Sequence, residues 1–467
     1  MPNRAINVSS IIMLCLVFIS GCSSFNGEEV RREHVDVYTR QLEEKTHEVL
    51  AEDRPLDLND CIRIALENNL SVKSAQIQQR IALLEKKVSF SNFLPAVSLD
   101  YQKTWWDPQP QINFGGSGIA MHDKDVREVT WNIQLSIFNP TTWFLYSMHT
   151  RGYEIAELVT DYTAQAIALQ VTTVYFDCLS LERMLSALES QLTAARAMEK
   201  ELAALQQEGM ISTWQSEQGR VLVMARQTEL NRMRRSLGQA KAELLANMGL
   251  NPTGDVKLEL QMSLEAPEDS LEVLITEALL NHPSLAIADR QVAIEKEKIR
   301  AAVTNFLPRL SGFASRVDTS DSHQVYTNYW LGGLSGAITV FDGLANVNQY
   351  KAAKESHKDA LLRRQQATLT LMLQVIRALD QVRLAQEQVE LAGQINQVAS
   401  KHLAEVRQQY EQGLIQASDM LDMVAEADRA EIQYLQSRFQ YQTSIAVLTN
   451  VLGKTRIVFE EPTNESK

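Results

Sequence analysis

Two aspartates three residues apart, Asp419 and Asp422, are the sharpest chemical feature of this sequence. On a helix that spacing puts both carboxylates on one face. If several copies of the chain surrounded an axis, the pair would stack as two carboxylate rings, which attract cations and can hold a constriction. On an outer face they would be two solvated acids. Little else could do chemistry. The eight histidines contain no i, i+4 pair, so no metal site is expected. Cys61 and Cys178 belong to no CxxC pattern and read as buried bystanders, although a disulfide would be allowed in an oxidising compartment. A phosphate-cradling glycine loop, a nucleophile elbow and HExxH are all missing from the sequence. The expectation is therefore no enzyme, no cofactor and no metal.

The elements that must position the two aspartates occur twice. Ala65-Leu66-Glu67-Asn68-Asn69 is echoed by Ala278-Leu279-Leu280-Asn281-His282, and Asn92-Phe93-Leu94-Pro95 by Asn305-Phe306-Leu307-Pro308, at an offset of 213 residues. Farther along the offset is 204, relating Gly209 to Gly413 and Gly249 to Gly453. Such a period means two copies of one large unit, since solenoid repeats run about 20–50 residues. The change in offset places an insertion in the first copy between Pro95 and Gly209. Its expected place is the polar stretch containing Asp107-Pro108-Gln109-Pro110 and Gly115-Gly116-Ser117-Gly118.

With 467 residues, 45% hydrophobic and 22% charged, the chain can bury large cores, and its net charge of −13 argues against a nucleic-acid surface. An address precedes the repeats. Arg4 and the apolar run Ile11 to Ile19 read as a signal peptide, because the run is far short of the roughly 20 residues that span a bilayer. The segment ends Ile19-Ser20-Gly21-Cys22, which resembles the lipobox of bacterial lipoproteins. That resemblance implies acylation of Cys22, and Ser23 after it resembles lipoproteins sent to the outer membrane.

Val129, Trp131, Ile133, Leu135 and Ile137 alternate with polar residues, as a strand with one apolar face does. Val97, Leu99 and Tyr101 give its partner. A second, weaker pair runs over Leu310 to Val317 and over Trp330, Leu334, Ile338 and Val340. Trp105, Trp106, Tyr326, Tyr329 and Trp330 cluster near the hairpin ends, where they would be interface anchors in a membrane barrel and ordinary core in a soluble sheet. Elsewhere the period is helical. Leu181, Leu185, Leu188, Leu192, Ala195, Met198, Leu202 and Leu205 step by three or four, as a coiled-coil seam does. A helix from about 142 to 208 would be about 100 Å long, and stretches from about 212 to 247 and 270 to 305 about 55 Å each, so that the two shorter ones stacked end to end would match the long one.

Four spanning strands cannot close, and an open edge is not tolerated in lipid, so a barrel requires two or three copies of the chain. At this point the chain resembles the TolC family of outer membrane efflux proteins. The resemblance rests on the duplicated Ala-Leu-x-x-Asn, the duplicated Phe-Leu-Pro, Phe341-Asp342-Gly343 after the last strand, and the two helix-turn glycines, Gly209 and Gly413. The implied fold is mainly α with membrane β. Two tandem repeats, each a β-hairpin plus long coiled-coil helices, would trimerise into a 12-stranded barrel continued by a periplasmic α-helical barrel. The expected divisions are a signal peptide over 1–21, a lipid-anchored extension over 22–55, and a first repeat over 56–250 with strands near 96–105 and 128–138. An equatorial connection over 251–270, a second repeat over 271–453 with strands near 309–318 and 329–341, and a tail over 454–467 follow.

The resemblance also implies a role and a set of sites. The role is the passive exit duct of a tripartite efflux pump or type I secretion system, working with a periplasmic adaptor and an inner membrane transporter. Asp419, Asp422 and Tyr410 are expected at the periplasmic gate. Gly209, Met210, Ile211, Gly413, Leu414 and Ile415 are expected at the tip turns and the adaptor docking surface. Family positions that can carry a bracing arginine and aspartate are here Ile415 and Gln215, so other contacts must hold a closed tip. The rival reading is a periplasmic coiled-coil adaptor or structural lipoprotein that never spans the membrane. The mirrored, aromatic-flanked hairpins speak against it.

Overall fold

The computed structural model describes residues 26–51, 54–259 and 264–454. The signal peptide, Cys22 and the tail beyond 454 lie outside the described residues.

An N-terminal helix, α1 (Gly27–Val49), precedes two versions of one layout. The first comprises α2 (Leu58–Asn68), α3 (Leu70–Ser91), β1 (Ala96–Trp105), a small hairpin of β2 (Gln111–Phe114) and β3 (Ser117–Ala120), β4 (Asp125–Phe138), α4 (Pro140–Gln207) and α5 (Thr213–Asn247). The second comprises α6 (Leu271–Asn281), α7 (Pro283–Thr304), β5 (Arg309–Thr319), β6 (Asn328–Ala337), α8 (Ala345–Glu411) and α9 (Ala417–Val451). The inserted polar loop of the first copy thus contains the hairpin β2–β3, turning through the positive-φ residues Gly115 and Gly116. Its composition had suggested only loop.

The short helices differ from the single 270–305 stretch expected. That stretch breaks at His282, whose backbone is extended and whose Nδ1 accepts the N–H of Ser284 at 3.2 Å, with Pro283 starting the next helix. Asn69 does the same in the first copy, its side chain accepting from Ser71 N–H at 2.8 Å.

The four long strands form one antiparallel sheet in the order β1-β4-β5-β6, so the two hairpins join through β4 and β5. Beyond the sheet, α4 spans 68 residues, about 100 Å. Its sheet-side half packs against α3 and α7, as in the Phe90 and Phe93 rings on Tyr146 and the Thr141–Thr304 hydroxyl pair. Its far half packs against α5 and α9.

Between the halves lie two related cores. Val171, Tyr175, Leu244 and Met248 in one correspond, at the second offset, to Val375, Leu379, Leu448 and Leu452 in the other. Cys61 and Cys178 occupy the positions held by Leu274 and Val382 in the second copy. They are free, fully buried thiols acting as small hydrophobes, and burial pushes each thiol up to about 12. The duplicated motifs meet here. Gly249 turns at φ +69 against Asn68, whose carbonyl would lie 2.5 Å from an added Cβ, and Gly453 turns at φ +69 against Asn281. Asn69 Nδ2 then donates to Asn247 O at 2.8 Å.

Candidate conduit and its tip

The sheet has two chemically different faces. On one, Leu99, Trp131, Trp330 and Leu334 are all large, apolar and exposed, Leu334 by 70%. On the other, Asn132 donates to Asp100 Oδ2 at 2.6 Å and accepts from the Ser315 hydroxyl at 2.6 Å, a polar ladder across three strands. Phe313 shares that polar face and covers the gap left by Gly333. Among the described residues neither β1 nor β6 has a second neighbour, so both edges present unpaired backbone. An apolar outer face, a polar inner one and two open edges are what a section of a spanning barrel needs.

At the opposite end the two helical hairpins turn identically. Gly209 (φ +76) and Gly413 (φ +72) donate to Gln206 O and Tyr410 O, and the following N–H groups of Met210 and Leu414 reach Leu205 O and Gln409 O, all at 2.9–3.0 Å. This is the Schellman closure, and it needs a left-handed residue at the turn. Next to each glycine the first apolar side chain is free, with Met210 70% and Leu414 68% exposed. The second is pinned. Ile211 packs with Leu202 and Leu421, and Ile415 packs with Met420 and Met423.

The helices that return from the turns are capped by different chemistry. Gln215 Oε1 accepts the N–H and hydroxyl of Ser212, both at 2.9 Å, whereas Asp419 Oδ2 accepts the N–H of Gln416 at 3.4 Å. Gln215, at the family's aspartate position, therefore serves its own helix. Asp419 is exposed and engaged with its own helix start, while Asp422 is exposed on the groove that Trp214 lines between α5 and α9. Tyr410 packs among Leu202, Ala417 and Leu421. Its buried hydroxyl forms no hydrogen bond, and burial together with the nearby Glu201 carboxylate raises its pKa above the usual tyrosine value.

Above the tip lies a polar layer that the sequence reading missed. Arg226 of α5 meets Asp428 of α9 at 2.8 Å, with side-chain exposures of 14% and 12%. Arg226 Nε and Asp428 Oδ2 lack aligned hydrogen bonds, so the pair is a close but imperfect ion contact. Gln191 of α4 donates to Glu431 of α9 at 3.2 Å beside it. Burial raises the Asp428 carboxyl to about 6, outweighing the opposing pull of Arg226, and Glu431 adds to the rise. Each of these residues takes a seam position. Gln191 lies midway between Met184 and Met198, Arg226 between Gly219 and Met233, and Asp428 between Leu421 and Leu435. A polar residue at a heptad position within an apolar seam was the available signal.

Among the described residues, no helix is long and apolar enough to cross a membrane. No curated protein matches the chain in sequence. Solved structures match its fold. The Campylobacter jejuni CmeC outer membrane channel is 16% identical over 85% of each chain, with a TM-score of 0.75. The Vibrio cholerae outer membrane protein VceC is 15% identical over 85% of this chain and 96% of its own, with a TM-score of 0.73. The open-state Neisseria gonorrhoeae MtrE outer membrane channel is 18% identical over 85% and 88%, with a TM-score of 0.72. A family model for outer membrane efflux proteins matches residues 61–250 and 274–454, one stretch in each repeat. The chain thus belongs to the outer membrane efflux protein family, whose members are passive channels and not enzymes.

Proposed function

We propose that three copies of this chain form the exit duct of a tripartite efflux pump or type I secretion system, anchored in the outer membrane through acyl chains on Cys22. The observation that carries this reading is the sheet, which exposes a mainly apolar face, interrupted near its loop end by Arg316 between Trp131 and Trp330, and two unpaired edges. Three four-stranded sections close into a twelve-stranded barrel and remove every edge. The rival, a non-spanning coiled-coil lipoprotein, leaves that apolar face without a solvent that suits it.

The helices continue the barrel as a tube into the periplasm. Transport energy comes from an inner membrane transporter, and an adaptor docks on the exposed tip residues Met210 and Leu414, with Gly209, Ile211, Gly413 and Ile415 holding their turns. Asp419 and Asp422 ring the narrow end of the tube, with Tyr410 packed behind them in its wall. These rings favour cations and set the closed state.

The test is the assembly state of acylated protein extracted in detergent, read by native mass spectrometry and electron microscopy. A trimer longer than about 100 Å with a compact membrane-sized end is expected. A monomer without a barrel end would return the chain to the coiled-coil lipoprotein reading.

A further inference from the structure

At the loop end of the sheet, away from the helices, the segment leading into β4 meets the segment after β5. Asp321 is fully buried there. It accepts from His122 Nδ1 at 2.7 Å and from the backbone N–H groups of Asp123 at 3.0 Å and His323 at 3.2 Å. Those bonds outweigh the upward push of burial and hold its carboxyl at about 2. Asp123 accepts from the Ser322 N–H at 2.6 Å and the Ser322 hydroxyl at 3.0 Å. His323 Nδ1 stands between the two carboxylates, 3.3 Å from Asp123 Oδ1 and 3.4 Å from Asp321 Oδ1, and is aligned for a hydrogen bond with neither.

That last feature separates a ligand site from a hydrogen-bonded brace. A ring N–H bracing the loops would point at one oxygen. A nitrogen nearly equidistant from two carboxylate oxygens and directed at neither is placed as ligands are around a shared ion. Donors bonded at about 2.0–2.1 Å to a tetrahedral metal lie about 3.3–3.4 Å apart, the spacing of both contacts. One ligand atom from each of the three residues lies within 4.8 Å of the other two. A carboxylate has about four lone-pair directions, so Asp123, accepting one bond on each oxygen, keeps two for a metal, and Asp321, whose Oδ1 accepts both backbone N–H groups and whose Oδ2 accepts from His122, keeps one, on Oδ2.

We propose that Asp123, Asp321 and His323 bind a divalent transition-metal ion of the Zn2+ class, joining the loops of the two repeats at the mouth of each barrel section. One imidazole and two carboxylates suit Zn2+ or Mn2+ better than Ca2+, which takes oxygen ligands alone, or Cu+, which takes sulfur. His122, stacked on Trp106 with ring centroids 5.8 Å apart, is a positioning residue that orients Asp321. The proposal stands independently of what the duct carries.

The experiment titrates Zn2+ into full-length, chelator-stripped protein in detergent by calorimetry, with Co2+ absorbance reporting the ligand field. One ion per chain is expected, with affinity at least about tenfold weaker in both His323→Ala and Asp123→Asn and unchanged in a variant of the exposed His402. Size and melting temperature of the two loop variants establish that they fold. Absence of saturable binding, or binding that survives His323→Ala, or binding lost with His402 instead, overturns the site and leaves a hydrogen-bonded loop brace.

Discussion

The two return helices, α5 and α9, are each 35 residues long, start from superposable glycine turns and end at equivalent equatorial glycines, yet they live in different surroundings. α9 lies between α8 and α4 and is buried along most of its length, including Met420, Met423, Ala427 and Ala430. α5 leans on α4, touches α9 only briefly, and leaves Val221 61% and Met224 60% exposed. Local code makes the hairpins alike, and position in the wall makes them differ. The open flank of α5 and the apolar flank of α8, with Leu391 59% and Val398 67% exposed, are the helical counterparts of the unpaired β1 and β6 edges. In the proposed trimer each protomer would be a section of wall with a seam on each side.

The strongest way to break this comparison is to charge the exposed flank. Val221→Asp with Met224→Asp should abolish the trimer in detergent extracts while leaving helical content intact, since each side chain removed from an interface forfeits about 1.5–3 kcal/mol in every subunit. The same charges at exposed positions that no neighbour covers should leave native mass spectra unchanged.

Next in size is the buried ion contact that ties α5 to α9. Arg226→Leu should cost about 3–5 kcal/mol by stranding Asp428, whereas Arg226→Leu with Asp428→Leu should be close to neutral. The pair also makes a pH signature. The folded carboxyl titrates near 6, above its ordinary 3.8, so the folded state holds the proton more tightly. That contribution to stability is complete below about pH 4 and is lost as pH rises to 6. Melting curves at pH 5 and pH 7.5 should therefore differ more for the native chain than for the double variant, once the shared slope of the remaining groups is subtracted.

Smaller effects sharpen the contrast between the turns. Gly413→Ala should cost about 1–2 kcal/mol for its left-handed backbone alone, because nothing lies near its added methyl. Gly249→Ala should cost more, since its Cβ would strike the Asn68 carbonyl as well. At the start of α9, Asp419→Ala should lower stability by about 0.3–1 kcal/mol, by removing a carboxylate from the first turn, while Asp422→Ala should not. Both should weaken cation block of conductance in planar bilayers. Unchanged block in both variants removes the carboxylate rings from the gate.

How much of this was legible depended on whether the signal was local. The first three long strands, the long helix and the four helix-ending glycines follow from period-two alternation, heptad spacing and residues whose backbone demands are fixed, whereas β6 ends at Ala337, short of the Ile338 and Val340 that alternation placed in it. The β2–β3 hairpin escaped because Gln111–Phe114 is too short to show alternation, and the break at His282 because its cap is a histidine instead of the usual Asn or Ser. Gln191, Arg226 and Asp428 were visible only as polar interruptions in separate seams. Nothing in the chain says that three such interruptions lie at one level.

The sequence by itself determined the duplication, the secondary structure and the turn chemistry, because each depends on residues within a few positions of one another. Local residues likewise carry the expectations that Cys22 is acylated and that Asp419 and Asp422 share a helix face. Only the tertiary structure decided what joins across long separations. The packing of α5 and α9 on α4 brings Arg226 to Asp428, and the pairing of β4 with β5 brings Asp123 to Asp321 and His323. The same pairing leaves β1 and β6 open, a property that exists only once four strands have taken their order.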